Sequence, residues 1–425
     1  MGMSFTLKSF LKHYVWMIVS IGVFVQMIGS ALRNIFGILV DPLNVNFDWS
    51  VGEIGIAYAV MSITSALSSP FSGWLGDKFG AKKTIFFGTI LFLLGMLWVS
   101  FMNNLWEFYL AYGLVLGFAQ SLIGVPIVPS VISWFRRHVG LGTGALMVSW
   151  SLGPALTIQI LAISFVNYGW RNTFWVLGLL VSIITFVLLI FFKDSPEKAG
   201  KKPFGWLEED ENSKNNLLSS FDLNKQKLIY RTDAFWHLVN IHFWGCVGHA
   251  IILVCIIPLA INKGIGSIQA AGVLSTIATV SILSRFFFPI IGDKFGSRFI
   301  IFISFLGQGL SVLILLFTDS TFGFYVFAVS FGIPYGGEGT VHPVINRQYF
   351  GQFPMGRTYG WQLFGAGLGM ALGGIIPGLV FDLSNSYDIA IIISCISSLI
   401  GAFIVIILPK TSKELIDWNL SLEQT

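Results

Sequence analysis

Charge and cysteine are both scarce in this chain of 425 residues. Charged residues make up 11% of it, against roughly 25% in an ordinary soluble domain, and the net charge of +4 gives no indication of nucleic-acid binding. The three cysteines lie in apolar runs without metal-ligand spacing, which predicts neither a disulfide framework nor a cysteine metal site. A nucleophile–base pair and a phosphate-binding loop are also missing. We therefore expect no enzyme activity, metal, cofactor or nucleic-acid partner.

Apolar residues are abundant instead, since 55% of the chain is hydrophobic. About 20 consecutive apolar residues are enough to span the hydrocarbon core of a bilayer as a helix. Twelve such segments can be delimited: 14–40, 52–75, 84–102, 106–133, 139–166, 172–192, 235–261, 267–291, 299–318, 321–345, 357–381 and 387–408. The chain is thus predicted to be an all-α membrane protein. We expect the first helix to be retained, since it is too long for a signal peptide and lacks a small-residue cleavage site.

One long polar stretch, residues 193–233, interrupts the series after the sixth segment. It contains EKAGKKP and EEDENSKNN, and it separates the twelve segments into two sets of six. We therefore predict an N-terminal half (1–192), a cytoplasmic linker (193–233) and a C-terminal half (234–425). Nothing in this organisation requires more than a monomer.

The positions of the 25 lysines and arginines predict the orientation. With an N-terminus in the cytoplasm and alternating spans, 21 of them fall in cytoplasmic segments and two in outer loops, namely Arg171 and Lys263. The remaining two, Arg33 and Arg285, lie inside spans. Such an excess of positive charge on one side predicts cytoplasmic termini and insertion in the cell membrane.

The pentapeptide GDKFG occurs twice, at 76–80 and 292–296. Both copies follow the second apolar segment of a half. Residues of the fourth segment also recur in the tenth: Gly117, Gly124 and Phe135 match Gly332, Gly339 and Phe350. A repeat spanning half of the chain predicts two six-helix halves in parallel register, an arrangement typical of secondary transporters.

The first copy lies in GWLGDKFGAKK, which resembles the signature G-x-L-x-D-[RK]-x-G-[RK]-[RK] of the major facilitator superfamily. A narrower resemblance is carried by 31–49 and 133–153, which are similar to the helix 1 region and the helix 4–5 junction of bacterial monocarboxylate and oxalate/formate transporters. The helix 5 glycine motif of antiporters is only partial, because Ser149 stands where a glycine is expected. These resemblances imply the twelve-helix major facilitator fold and a small carboxylate as the substrate.

The two arginines inside spans are candidates for the substrate site. An arginine in mid-span costs about 2.5–3.5 kcal/mol on insertion scales, so it needs a partner or a wet cavity. Arg285 lies eight residues before Asp293, where the resembled group carries a substrate-binding arginine, and its counterpart in the repeat is Ser69. We expect Arg285 to bind the substrate carboxylate and Arg33 to line or gate the cavity. A structural role, such as an ion pair between helices, is the alternative for each.

Glu338 is the one carboxylate in the interior of a predicted span, away from its ends, and His342 follows it one helical turn later. Burial penalises the charged form of a carboxyl group, so Glu338 is a candidate proton carrier. It could equally be the fixed counter-ion of Arg285. His342 titrates in the range needed for proton coupling, with a packing role as the alternative. Where animal monocarboxylate carriers have an aspartate one turn before the helix 8 arginine, this chain has Ser281.

Further polar residues are expected to line the cavity. His242 and His249 lie two turns apart on one face of the seventh segment, and we predict that His249 contacts the substrate together with Tyr335 of the tenth segment and Gln26 of the first. A metal site is not predicted, because two ligands seven residues apart are too distant to share one ion and no third is suggested.

The loop after the second segment resembles the cytoplasmic latch of the superfamily, which braces one half against the other near helices 4 and 11. The residues assigned to it are Asp77, Arg136, Gly73, Gly80 and Asp293, with Arg136 and Arg137 as the expected partners of Asp77. Positive charge that only sets topology would account for Lys82 and Lys83, but it would not account for an aspartate between glycines.

The sequence therefore predicts a secondary active transporter of small organic anions, such as lactate or pyruvate, that works by alternating access. Proton symport is the first choice for the coupling, and carboxylate exchange is the alternative. A non-transporting receptor on the same fold is a further alternative, but the linker of about 40 residues is short for a signalling domain.

Overall fold

Helices make up nearly all of the computed structural model, which describes residues 13–207, 228–351, 355–411 and 415. We number them in chain order: α1 Val15–Phe47, α2 Val51–Phe79, α3 Ala81–Phe101, α4 Leu105–Ser133, α5 Val139–Met147 and Ser149–Tyr168, α6 Trp170–Phe191, α7 Asp233–Asn262, α8 Ser267–Phe295, α9 Ser297–Leu316, α10 Thr321–Phe350, α11 Met355–Ser384 and α12 Asp388–Ile407. Each of the twelve predicted spans coincides with one of these helices. The predicted all-α membrane fold is confirmed.

Ten of the described helices are individually long and apolar enough to cross a membrane. The other two are α5, which is interrupted at Val148, and α10, which carries Glu338 and His342 in its middle. The α4 helix also departs from regular geometry, because residues Tyr109–Val115 form a π-helical stretch. Such irregularities are tolerated at membrane depth where neighbouring helices or a polar cavity satisfy the backbone.

Large apolar side chains cover much of the outer surface. Val166, Ile268 and Phe317 are 85%, 89% and 86% exposed, and the helix α6 is buried along only a small part of its apolar length. Exposed apolar surface of this extent is not stable in water. It is the surface that lipid chains solvate, and the chain is a multi-pass membrane protein.

One glycine joins α2 to α3, and another joins α8 to α9. Gly80 and Gly296 have φ values of 96° and 95°, a conformation that residues with a side chain rarely adopt. Their N–H groups donate to the carbonyls of Gly76 and Gly292, each at 3.0 Å. Both copies of GDKFG therefore end one helix and turn the chain directly into the next, which explains the final glycine of the repeat.

The buried apolar side chains divide along the chain. One cluster is drawn almost entirely from residues 15–204, and two others lie mainly within residues 229–408. The most extensive packing between these two regions is that of α2 along α11 and of α5 along α8. These two helix pairs form the main interface between the regions. The domain boundaries at 192 and 234 stay a prediction.

Candidate functional site

Both copies of GDKFG lie at one end of the helix bundle, which we call the basic end because its turns carry most of the lysines and arginines. There the Asp77 carboxylate of α2 accepts hydrogen bonds from the backbone N–H groups of Gly356 (2.9 Å) and Arg357 (2.7 Å) at the start of α11. A carboxylate is favourable at this position, because the first N–H groups of a helix are otherwise unsatisfied and carry partial positive charge. Gly73 permits the approach, since an added Cβ would overlap the Gly356 carbonyl.

The second copy makes the equivalent contact. Asp293 at the end of α8 accepts a hydrogen bond of 2.6 Å from the backbone N–H of Gly140 at the start of α5. Gly140 is again a position where a side chain would overlap backbone, here that of Pro289. Each repeat thus holds the first turn of a helix from the other set of six, and the two contacts together close the basic end.

Arg136 and Gly80 were also assigned to the latch. The Arg136 backbone N–H donates to the Phe204 carbonyl at 2.9 Å, and its role in the latch stays a prediction. Gly80 lies against the Asp194 carboxylate, which accepts a hydrogen bond of 2.6 Å from the backbone N–H of Lys82. Asp194, in the predicted linker, therefore satisfies a donor at the start of α3.

Arg285 lies deep within α8. It is 18 residues from Ser267 and ten from Phe295, or about 27 Å and 15 Å along the helix. The half-buried guanidinium sits over the ring of Tyr335 on α10, 5.0 Å from its centroid, and its buried Nε has no hydrogen-bond partner. Among the described residues no carboxylate lies within 4 Å of it. The internal ion pair that was the alternative for Arg285 is not found there.

Arg33 of α1 has a similar environment. Because α1 continues to Phe47, Arg33 lies about 21 Å along the helix from that end and 27 Å from the other. Its guanidinium is 5.5 Å from the ring centroid of Trp150 on α5, and its Nε also lacks a hydrogen-bond partner. In the described part of the chain it too has no carboxylate within 4 Å.

Glu338 is only 1% exposed and lies between two histidines. The Nδ1 of His249 on α7 is 3.3 Å from one carboxylate oxygen, and the Nε2 of His342 on α10 is 3.9 Å from the other. The described ion pairs include none between Glu338 and Arg285, so the structure does not favour the idea that Glu338 is the counter-ion of that arginine. A buried carboxylate needs compensation, and a proton shared with these histidines would provide it.

Two further groups adjoin Glu338. The ring of His242 on α7 stacks on that of His342 with centroids 3.9 Å apart and an angle of 6° between them. Cys246 lies one turn before His249, and potential ligand atoms of Cys246, His249 and Glu338 all lie within 4.8 Å of one another. Thiolate, imidazole and carboxylate are a donor set that Zn²⁺ accepts, and the sequence analysis considered only the two histidines of α7 as a pair.

A series of contacts links these groups across neighbouring helices. The hydroxyl of Ser151 lies 3.3 Å from that of Ser281. Ser151 follows Trp150, the residue that Arg33 contacts, and Ser281 lies one turn before Arg285. Tyr335, the partner of Arg285, is in edge contact with His249 at a centroid distance of 5.0 Å. These contacts link α1, α5, α8, α10 and α7, and we call the residues that make them the central region.

Gln26 lies on α1, two helical turns before Arg33. Its buried Oε1 has no hydrogen-bond partner, and Gly124 of α4 is the residue whose added Cβ would approach it. Gln120 of α4, which the sequence analysis did not select, donates to the Gly29 carbonyl at 3.0 Å and also leaves its Oε1 unpartnered. Gln120 could have been selected from the sequence, because it is a polar residue within an apolar segment. No comparable signal existed for Met370, whose sulfur is 3.2 Å from His249 Nε2.

Comparison with known proteins gives a family match and distant relatives. A family model described as Major Facilitator Superfamily matches residues 19–336 and, in a second match, 243–423. The chain is 23% identical to the oxalate:formate antiporter of Oxalobacter formigenes, with 94% of each chain covered. It is 22% identical to monocarboxylate transporter 12 of Xenopus laevis over 89% of this chain and 85% of that protein. Its fold is similar to that of the proton:xylose symporter XylE bound to 6-bromo-6-deoxy-D-glucose, with a TM-score of 0.76, 14% identity and coverage of 94% and 96%.

Proposed function

Because the chain belongs to the Major Facilitator Superfamily, we propose that it transports small organic anions across the membrane and binds them between its two sets of six helices. The observation that carries the proposal is Arg285, a guanidinium in the middle of α8 with an unpartnered Nε and no carboxylate within 4 Å in the described part of the chain. A guanidinium presents a planar fork of donors that fits a carboxylate with two hydrogen bonds. Tyr335 holds the face of this group and leaves its edge available.

The mechanism follows from the two ends of the bundle. Asp77 and Asp293 hold the basic end closed in the structure, so the substrate would enter from the opposite end and bind between Arg285 and Arg33, near Tyr335, His249 and Gln26. Release would require these latch contacts to break while the two halves, 1–192 and 234–425, rock about the site. We place the basic end in the cytoplasm, with both termini on that side of the cell membrane and a monomer as the working unit.

Coupling to protons is the first choice. Glu338, with His249 and His342, forms a buried group that can hold a proton close to the anion site, and Tyr335 connects it to Arg285. A proton bound there would favour the anion at Arg285 electrostatically, because it would remove the negative charge of the Glu338 cluster. Lactate and pyruvate are the first substrates to test for such symport.

Carboxylate exchange is the second candidate, and two observations favour it. The two arginines have no described counter-ion, so a site without an anion would have to reorient with uncompensated charge in the middle of the membrane. The oxalate:formate antiporter is also among the proteins that the chain resembles over 94% of its length. Symport and exchange are both transport functions, and neither is a receptor function.

The test is uptake into proteoliposomes of the full chain. Labelled lactate, pyruvate, formate, oxalate and succinate would be offered with and without an inward proton gradient, and with and without internal carboxylate. Accumulation driven by the gradient would support symport, and uptake that depends on internal carboxylate would support exchange. We expect Arg285→Gln to abolish uptake. Arg171→Gln, in the first turn of α6, is the matched control and should retain it. The proposal fails if no carboxylate accumulates, or if Arg285→Gln transports as well as the parent.

A further inference from the structure

We propose that Cys246, His249 and Glu338 form a binding site for a thiophilic divalent cation, of which Zn²⁺ is the best match. Potential ligand atoms of these three side chains all lie within 4.8 Å of one another. A metal site was not predicted from the sequence, because His242 and His249 are seven residues apart. The proposed site combines His249 with a cysteine of the preceding turn of α7 and with a glutamate of α10. It goes beyond the proposed function, since binding of the ion does not depend on carboxylate transport.

The distances between the three side chains suit a tetrahedral ion. Zinc bonds of about 2.0–2.3 Å, at tetrahedral angles, separate the ligand atoms by about 3.3–3.6 Å. His249 Nδ1 is 3.3 Å from one oxygen of Glu338, so this pair already has the spacing of two zinc ligands. The Cys246 thiol is no more than 4.8 Å from a ligand atom of either partner. A shift of the thiol by about 1 Å would therefore complete the set.

The site is buried, and its polar atoms are incompletely satisfied. Cys246, His249 and Glu338 are 5%, 8% and 1% exposed. In the part of the chain that the structure describes, His249 Nδ1 and Glu338 Oε1 have no hydrogen-bond partner. Buried polar atoms are nearly always satisfied by a partner, and coordination to a metal ion would satisfy both.

The second nitrogen of His249 orients the imidazole ring. Its Nε2 is 3.2 Å from the sulfur of Met370 on α11. A thioether sulfur accepts hydrogen bonds but donates none, so this contact assigns the ring proton to Nε2 and directs the lone pair of Nδ1 toward Glu338. Metal-binding histidines usually have the other ring nitrogen held by a hydrogen bond. Met370 supplies such a contact here.

The backbone of α7 makes room for the carboxylate. Gly245 precedes Cys246, and an added Cβ at Gly245 would overlap Glu338 Oε1. The absence of a side chain at this position therefore lets Glu338 approach the turn that carries the other two ligands. Cys246 and His249 are three residues apart, so they are neighbours on one side of the helix.

The charge of the donor set suits a divalent cation inside a membrane. A Cys246 thiolate and a Glu338 carboxylate carry two negative charges, and His249 is neutral as a metal ligand. With Zn²⁺ the site has no net charge, which avoids the cost of an uncompensated charge at this depth. A thiolate also favours Zn²⁺ over Mg²⁺ and Ca²⁺, which prefer oxygen ligands. The thiol proton is released when the ion binds.

The three cysteines of the chain differ in their surroundings. Cys255 and Cys395 belong to one of the apolar clusters, where a thiol acts as a small hydrophobic side chain. Cys246 instead lies next to an imidazole and a carboxylate. A ligand role explains a thiol at that position better than packing does, and Cys255 offers a matched control on the same helix.

The first experiment measures the zinc bound to the purified full chain. The protein would be isolated from cells grown with added Zn²⁺, freed of any affinity tag and dialysed. Loss of an outer partner of a metal ligand costs about 10–100-fold in affinity, so loss of a direct ligand should cost about 100-fold or more. We therefore expect bound zinc in the parent and in Cys255→Ser, and little in Cys246→Ser. The inference is wrong if the parent holds no zinc, or if Cys246→Ser holds as much as the parent.

Cobalt distinguishes a metal ligand from a residue that is needed only for folding. Co²⁺ occupies zinc sites and, when a thiolate binds it, shows a charge-transfer absorption band in the near ultraviolet. We expect this band in the parent and in Cys255→Ser, and we expect Cys246→Ser to lack it while its melting temperature without metal matches that of Cys255→Ser. A band that persists in Cys246→Ser, or no band in the parent, would overturn the assignment of the thiol.

Occupation of the site should also oppose proton coupling. This step rests on the proposed function, because it assumes that Glu338 and His249 hold the coupling proton. Zn²⁺ should then inhibit gradient-driven uptake by the parent, and Cys246→Ser, which keeps both of these residues, should transport with much weaker inhibition. Equal inhibition of the two proteins would contradict this step. If no carboxylate is taken up at all, the proposed function fails, and the zinc and cobalt measurements still decide the site.

Discussion

The closed basic end depends on backbone-to-backbone contact between α2 and α11, and Gly360→Ala tests this dependence. The Cβ of an alanine at 360 would lie 2.5 Å from the Ser69 carbonyl oxygen and 3.1 Å from the Pro70 Cα. Both obstructing groups are backbone atoms of α2, which cannot rotate away as a flexible side chain could. To reach an ordinary contact of about 3.4 Å, the two helices would have to separate by about 0.9 Å.

The expected cost is that of overpacking a close helix contact, about 1–3 kcal/mol. Because the contact exists only while the basic end is closed, the cost falls on that state. The ratio of closed to open molecules should therefore decrease by about 5- to 150-fold. Gly374→Ala on the same helix is the matched control, since its added Cβ meets nothing within 4 Å.

The assay is a distance measurement between spin labels at the basic end. Phe79 and Phe295 occupy the same position in the two copies of GDKFG and are 49% and 63% exposed. Labels on cysteines at these two positions, with the three buried native cysteines replaced, report the separation of the two sets of helices. Gly360→Ala should increase the share of longer distances, and Gly374→Ala should not. A distribution for Gly360→Ala that matches the parent would refute the reasoning.

Two further predictions concern single hydrogen-bonding groups. Asp77→Asn keeps the size of the side chain but weakens its bonds to the N–H groups of Gly356 and Arg357. Since hydrogen bonds to a charged group are worth about 1.5–3 kcal/mol, the same pair of labels should report opening, and an unchanged distribution would contradict a latch. Tyr112→Phe removes the hydroxyl that donates to the Leu32 carbonyl at 2.8 Å. It should destabilise the protein by about 1 kcal/mol, which is measurable as a lower melting temperature in detergent, and an unchanged melting temperature would show that this bond contributes nothing.

The sequence was a good guide to the helices for a physical reason. A span must be continuously apolar over its length, and this requirement is visible in one dimension. The repeat of GDKFG likewise predicted equivalent turns, because Gly80 and Gly296 both need a positive φ. The partners of Asp77 were harder to predict, because they are backbone N–H groups at the start of α11 and main-chain donors carry no sequence signature.

The polar residues inside the spans could also be identified from the sequence, because they stand out in apolar segments. The sequence did not show which of them pair. The pair formed by Glu338 and Arg285 and the pair formed by Glu338 and His249 fit the sequence equally well. Only the packing of α7 against α10 brings His249 to 3.3 Å from Glu338. Trp150 had no signal at all, since a tryptophan in an apolar segment ordinarily indicates packing or a lipid contact.

The two halves are alike where the chain must move and different where it must recognise a ligand. At the basic end, Asp77 and Asp293 occupy equivalent positions and each binds the first turn of a helix from the other set. In the middle of the membrane the counterpart of Arg285 is Ser69, whose hydroxyl donates to the carbonyl of Ser65 in its own helix at 2.7 Å.

The counterpart of Glu338 in the repeat is Ile123, which is 2% exposed and belongs to the apolar core. This pair of positions shows the same asymmetry. A fold that needed charge at these depths for its stability would carry it in both copies of the repeat. Because only one copy carries it, and charge at this depth is costly, an anion that compensates the arginine and a proton that compensates the carboxylate explain the two residues better than the architecture does. The uptake experiment on Arg285 tests this explanation directly.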